Sequence, residues 1–181
     1  MTTGIIVSVS ASPGHGFSKR IHERIHLLEG LGVEGDAHCG RTVKHRSRVE
    51  VDPTQPNLRQ VHLMDSEIID ALNREAFELA PGDLGENVLT RGIDLHALPR
   101  GTRLSLGRDA IVELTGLRNP CGQIESFRRG LLARMAIKRV SGEIERRAGV
   151  MAIVIAGGDV GPNDTIAVTL PALPHARLER V

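Results

Sequence analysis

The longest apolar run in this chain, Val150–Ala156, is seven residues and is bracketed by Gly149 and Gly157. That limit governs what the chain can fold into. Seven residues make a strand, not a buried helix, and an apolar segment that spans a bilayer needs about 20. The pattern recurs along the sequence. Ile5–Val9 is a β-branched run ended by Ser12-Pro13-Gly14. Gln60–Met64, Glu86–Thr90 and Thr165–Leu170 also read as short strands. Gly101–Leu106 and Ala110–Leu117 read as a hairpin around Gly107-Arg108-Asp109. Ile21–Leu28 fits a strand or a helix. Two segments carry helical spacing. One starts at Asp65 or Ser66, which can cap it, and runs through Phe77, with Ile68, Ile69, Leu72 and Ala76 on one face. The other is Gln123–Ile137, with Ile124, Phe127, Leu131 and Met135. Glu143–Arg147 reads as charged surface, the tail Pro171–Val181 as a surface segment, and Cys39–Asn57 as a long polar loop. Many short strands with glycine turns and two helices predict a mainly β fold: a small closed β-barrel in a single domain, 1–181.

Composition narrows the partners. With no Trp, no Tyr and three Phe, the core has to be built from Val, Ile, Leu and Ala, and base-stacking platforms are missing. Lys+Arg of 23 against Asp+Glu of 22 leaves a net charge of +1, without the basic excess of a nucleic-acid-coating protein. No nucleic acid and no membrane are expected as partners. Lys occurs only at Lys19, Lys44 and Lys138, so basic charge is almost all Arg. Codon bias gives that pattern, and so does recognition of phosphate or carboxylate by guanidinium. Two cysteines, Cys39 and Cys121, are too few for a disulfide scaffold, and the first residues read as strand and turn. A cytoplasmic protein is expected.

Four motifs bear on chemistry. His22-Glu23-Arg24-Ile25-His26 matches H-E-x-x-H, in which a helix sets two imidazoles on one face with Glu23 as base. Its Gly/Lys/Arg setting and the absence of a downstream ligand pattern predict an extended segment that binds no zinc. His38, Cys39 and His45 offer borderline metal ligands but lack a fourth partner. Gly82-Asp83-Leu84-Gly85-Glu86-Asn87 is too short for a phosphate loop; it reads as a tight turn with a polar tip. Arg118-Asn119-Pro120-Cys121-Gly122 puts a cysteine between a strand end and a helix start. A neighbouring guanidinium and a helix N-terminus both favour the thiolate, the form that attacks sulfur or binds a soft metal. The alternative is a packed, neutral cysteine. His62 and His96 are the candidate bases, and the sequence does not bring either close.

Four stretches carry a family resemblance: Gly32–His38, Pro81–Val88, Leu114–Cys121 and Gly149–Gly158. In this order they resemble the MOSC family, the domain found at the C-terminus of molybdenum cofactor sulfurases and as short stand-alone bacterial proteins. The resemblance implies a β-barrel of the pyruvate-kinase-barrel-like type. It implies that Cys121 is the functional cysteine, carrying sulfur as a persulfide or, in the reductase branch, ligating molybdenum of the pterin cofactor. It also implies that the glycine–acid–asparagine turn lies near the same pocket. The chain lacks both the pyridoxal-phosphate desulfurase domain of the full sulfurases and the N-terminal barrel of the larger reductases.

The resulting expectation is a stand-alone protein that binds molybdenum cofactor (molybdopterin), or carries sulfane sulfur for it, through Cys121. Arg118 tunes the thiol or holds an anion. Gly82, Asp83, Gly85, Glu86, Asn87 and Asn119 contribute to cofactor binding, and Cys121 is the metal ligand. Arg41, Arg46 and Arg48 in the long loop close over the phosphate. Bound pyridoxal phosphate is not expected. Expected partners are a sulfur donor such as a cysteine desulfurase and a molybdoenzyme or other metal–sulfur acceptor. The alternatives are a molybdenum-dependent reductase of N-hydroxylated substrates and a non-catalytic binding module.

Overall fold

The computed structural model describes residues 3–44 and 49–181. Among these residues thirteen strands form in chain order. Before the first helix come β1 (Thr3–Ala11), β2 (Arg20–His22), β3 (Ile25–Leu28), β4 (Gly32–Val33) and β5 (Val61–Asp65). Helix α1 (Ser66–Arg74) leads to β6 (Val88–Arg91), β7 (Arg103–Leu106) and β8 (Ala110–Leu117). Helices α2 (Gly122–Phe127) and α3 (Leu131–Met135) precede β9 (Ala136–Lys138), β10 (Ile144–Arg146), β11 (Val150–Ala156), β12 (Gly158–Val160) and β13 (Thr165–Thr169).

Seven strands close a barrel in the order β13-β7-β8-β11-β5-β6-β1, with β13 pairing back onto β1. All of these pairings are antiparallel except β5 with β6, which are joined through α1 as a crossover. β2 extends the sheet beside β1, and β3, β4 and β12 form a small sheet of their own.

Alternation along the strands fills the interior. In β8 the buried positions are Ala110, Val112, Leu114 and Gly116; from β11, Val150, Ala152 and Val154 are buried. Such a core is aliphatic throughout, as the composition requires. A second apolar cluster lies outside the barrel under the helices. It holds Met64, Leu72, Leu84, Ile124, Leu131 and Met135, and all three phenylalanines of the chain pack against it. No helix among the described residues is long and apolar enough to cross a membrane.

Register sets the site. Val9 pairs with Val88, Val88 with Leu63, Leu63 with Val150 and Val150 with Leu117. These five residues form one level near one rim of the barrel. β1 leaves that rim toward residues 12–19, and β8 leaves it toward Cys121. The glycine turn enters it ahead of β6.

The structure corrects several local readings. Helix α1 ends at Arg74, short of Phe77, because Ala76 and Glu78 take left-handed backbone angles. Asp65 stands at its N-cap position without a side-chain capping bond. The segment Gln123–Ile137 is two short helices, broken where Arg128 is extended and Gly130 is left-handed, and its end is strand β9. Glu143–Arg147 is mostly strand β10, paired with β9. Part of the tail packs: Leu178 is buried and Arg180 bridges to Leu117.

Candidate functional site

Where β8 ends, the Arg118 N–H donates to the Gly149 carbonyl at 3.0 Å and the chain turns toward α2. Cys121 occupies the residue before α2. Its carbonyl accepts from Ile124 N, and its half-buried Sγ lies 3.7 Å from Gln123 Oε1. A cleft of about 390 Å³ opens there. Cys121, Asn119, Arg118 and Gln123 form one wall, and Gly85, Asn87 and His62 another. Phe17 and Lys19 come from the β1–β2 connection; His38, Lys44, Asn57 and Arg59 come from the β4–β5 connection. Arg180 reaches in from the tail. Among the described residues lining the cleft are five Lys or Arg and no Asp or Glu.

The glycine turn shapes this cleft by what it leaves out. Gly82 and Gly85 both have positive φ, +86° and +77°. A Cβ on Gly82 would collide with the Lys19 carbonyl, and one on Gly85 with the Phe17 carbonyl. Lys19 N donates to the Gly82 carbonyl at 2.8 Å. The turn therefore clamps segment 17–19 into the cleft through backbone contact.

The polar tip of this turn does not itself reach the cleft. Glu86 is fully buried; one carboxylate oxygen accepts from Gly82 N, and the other has no hydrogen-bond partner. Burial pushes its pKa up against that N–H. Asp83 turns back to accept from Ala80 N at 2.8 Å. Of the residues read as cofactor-binding, Gly85, Asn87 and Asn119 line the cleft, and Gly82, Asp83 and Glu86 stand behind or beside it. Asn87 is occupied as a brace. Its Oδ1 accepts from His62 N, and its Nδ2 donates to the Ser10 carbonyl and to Asp36 Oδ2.

Two cation centres set the field. The Arg118 guanidinium donates to the Leu84 carbonyl at 2.6 Å and lies over the Phe17 ring, 5.7 Å from its centroid. Burial lowers its pKa, opposed by charge at Cys121 and Glu86. Lys19 Nζ lies 2.8 Å from Asp36 Oδ2, with the two side chains 6% and 1% exposed. Burial lowers the Lys19 pKa, against the attraction of Asp36. Asp36 also accepts from Ser12 N, His38 N, His38 Nδ1 and Asn87 Nδ2. Burial raises its pKa, but the His38 hydrogen bond and the Lys19 charge outweigh that and hold it well below the carboxylate range.

Lys19 and Asp36 were not singled out from sequence. The signal was there: Lys19 is one of only three lysines and follows a glycine loop, and Asp36 lies in a stretch that carries the resemblance. His62, a candidate base, lines the cleft, but its Nε2 lies 2.8 Å from the Ala148 carbonyl. Burial and then Arg118 hold its pKa well below 6.5, so it is a neutral hydrogen-bonding wall. His96 belongs to a different cavity.

The H-E-x-x-H segment is extended, as expected: His22 is in β2 and His26 in β3, with His26 Nδ1 bonded to Asp159 at 2.7 Å. No group of three metal-ligating side chains occurs among the described residues. His45, Arg46 and Arg48 lie outside the described residues, and Arg41 is exposed and does not line the cleft. Cys39 does not line it either. Burial and the carboxylates of Asp36 and Glu34 push the Cys39 thiol pKa up.

Comparison with known proteins fits this architecture. The MOSC domain model matches residues 34–167. The solved structure of YuaD from Bacillus subtilis superposes with a TM-score of 0.75 at 24% identity, covering 94% of this chain and 97% of that one. YiiM from Escherichia coli gives 0.61 at 18% identity, covering 95% of this chain and 73% of that one. YiiM from Geobacillus stearothermophilus gives 0.58 at 14%, covering 96% and 77%. At these identities the likeness establishes the fold. A comparison with curated proteins gives no match.

Proposed function

The chain belongs to the MOSC domain family, and from that premise we propose that its cleft binds molybdenum cofactor, with Cys121 as the soft ligand. One observation carries this reading: a half-buried thiol stands in a wall whose described ionisable neighbours are cations and imidazoles, without a carboxylate. The lining suits that ligand. Lys44, Arg59 and Arg180 supply donors for a phosphate. Phe17 and Met151 supply apolar surface for a planar ring system, and a volume of about 390 Å³ accommodates a cofactor-sized molecule. When bound, the cofactor supplies a redox-active metal with affinity for thiolate.

The chain's own residues do the rest. Arg118 keeps positive charge near the Cys121 sulfur and ties the β8–α2 turn to the glycine turn through the Leu84 carbonyl. Asn119 Oδ1 accepts from Arg146 Nε at 3.3 Å, which leaves its amide N–H groups for a ligand. His62 walls the cleft as a neutral group and takes no part as a base.

Sulfur carriage is the second reading, and the position of Cys121 at a rim favours it. The thiolate attacks the terminal sulfur of a persulfide donor, the donor's S–S bond breaks, and the donor thiolate leaves. The Cys121 persulfide then awaits a metal–sulfur acceptor. A cysteine desulfurase fits as donor and a molybdoenzyme as acceptor.

Protein from a molybdenum-replete host decides between these. Molybdenum, pterin fluorescence after oxidation and cyanolysable sulfur are measured on the native chain, Cys121→Ser and Cys39→Ser. Native protein and Cys39→Ser are expected to carry the load and Cys121→Ser to lose it. Metal with pterin supports the cofactor reading, and sulfane sulfur alone supports carriage. Full loading of Cys121→Ser overturns both.

A further inference from the structure

The segment after β13 lies outside the span 34–167 that the MOSC domain model matches, yet it returns to the rim where β8 ends. Arg100 N donates to the Ala176 carbonyl at 2.8 Å, and Leu178 is buried in the barrel core. Leu117 N donates to the Glu179 carbonyl at 2.7 Å, and Val181 N donates back to the Leu117 carbonyl at 3.3 Å. Arg180 thereby pairs with Leu117 in a parallel bridge.

Gly116 makes this approach possible. It stands in β8 opposite Met151 and is not among the glycines with positive φ, so strand backbone alone does not call for glycine here. The close approach does. A Cβ on Gly116 would collide with the Glu179 carbonyl and with the Val181 side chain. A glycine inside a strand marks such a place, where a second backbone lies against the first.

What the approach delivers is Arg180. Its exposed side chain lines the cleft and has no hydrogen-bond or ion-pair partner among the described residues. The two buried cations of the cleft are already engaged: Arg118 with the Leu84 carbonyl and the Phe17 ring, and Lys19 with Asp36. A guanidinium without a protein partner, in a lining without carboxylates, suits a ligand's phosphate.

We propose that residues 176–181 are a strap that gives the cleft its selectivity for a phosphate-bearing ligand. Gly116 admits the strap against β8, and the strap sets Arg180 where it grips the phosphate. Arg180 is the binding residue, and Gly116 is a positioning residue that acts through it. The inference rests on the cofactor reading for the kind of ligand, and its test does not use Cys121.

The test uses the full chain at constant ionic strength, with phenyl phosphate as probe and phenol as its uncharged match. Calorimetry reads binding, and amide hydrogen exchange at Leu117 reads the seating of the strap. The native chain is expected to bind phenyl phosphate saturably and at least about tenfold more tightly than phenol, as for a charge-assisted hydrogen bond. Arg180→Ala is expected to lose about tenfold with Leu117 exchange unchanged. Gly116→Ala is expected to lose as much and to speed that exchange, because the Leu117 amide gives up the Glu179 carbonyl. Arg180→Ala added to Gly116→Ala is expected to cost nothing further. A chain ended at Leu178 lacks the atoms that the new Cβ meets first, so Gly116→Ala in that background is expected to leave binding and stability unchanged. Cys121→Ser is expected to bind phenyl phosphate like the native chain, so a failure of molybdenum and pterin loading is read apart from a failure of the strap. Phenyl phosphate bound no better than phenol, Arg180→Ala within about twofold of native, or additive losses in the double variant overturns the proposal.

Discussion

Asp36→Asn tests the electrostatics under the cleft most directly. The substitution keeps size and shape and removes one charge. Lys19 is 6% exposed and its ammonium lies 2.8 Å from Asp36, so the variant strands a buried cation. Removing one partner of a buried pair costs about 3–5 kcal/mol. With its oxygen placed to accept from His38 N, the asparagine turns its amide N–H groups toward Ser12 N, Lys19 Nζ and Asn87 Nδ2, all donors; flipped, it turns them toward His38 N. For a chain of this length each kcal/mol lowers Tm by about 2–4 °C, so a fall of about 6–20 °C is expected. Urea titration of Asp36→Asn, Lys19→Met and the double variant closes the cycle. The double variant is expected to be more stable than the sum of the single losses implies, because the stranded charge is gone. The acid limb carries a second signature. Asp36 has its pKa depressed in the fold, so its stabilisation is complete above the unfolded carboxyl value of 3.8 and is lost as pH falls below it toward the folded value. That loss should vanish in Asp36→Asn. A cost under about 1 kcal/mol, or additivity within about 0.5 kcal/mol, would refute the argument.

Gly82→Ala should destabilise by about 1–3 kcal/mol, through strain at φ +86° and collision with the Lys19 carbonyl, whereas Gly14→Ala, which meets nothing within 4 Å, should stay within about 0.5 kcal/mol; thermal melts compare them. His62 has a folded pKa below 6.5, so the unfolded chain takes up its proton first as pH falls. Native stability should drop below pH 6.5 by up to about 1.4 kcal/mol per pH unit, and His62→Gln should flatten that slope in denaturant titrations from neutral to mildly acidic pH.

The barrel was legible because its signal is local. Alternation in Ala110–Leu117, the glycine brackets around Val150–Ala156 and the hairpin turn at Gly107 each act over a few residues. Helix ends were less legible. Nothing in the apolar spacing of 123–137 marks the left-handed Gly130 as a break, since tertiary packing of Leu131 and Met135 decides it. The site was half legible. Cys121 and Arg118 could be picked out because they flank one strand end. Lys19 and Asp36 each carry a local signal; Arg180 carries none, because the pairing that brings the tail to this rim sets it beside residues more than 100 positions earlier in the chain. The turn at 82–87 was placed correctly, but its chemistry was read outward. Glu86 in fact folds into its own turn, a preference that shows only when both glycines bring their backbone against residues 17–19.

The charges around the cleft are layered. Arg118 and Lys19 face it, while Asp36 and Glu86 stand behind the wall. Buried ion pairs are weak sources of stability, and well-packed apolar side chains in their place are often as good or better. Their use here is therefore explained by the surface they create. Asp36 holds Lys19 in place from the rear, and Glu86 offsets the charge of Arg118 without an ion pair, neither presenting negative charge to a ligand. Glu86 does so incompletely, with one oxygen unpartnered and its pKa raised by burial. A protonated Glu86 would leave Arg118 less compensated and the cleft more positive. A second cavity, lined by Asp65, Glu67, Asp94 and Glu145, meets the first region through Arg146, which donates to Asn119 Oδ1. One side chain thus contacts both regions. The Arg146–Asn119 hydrogen bond joins the lining of the second cavity to the turn that carries Cys121.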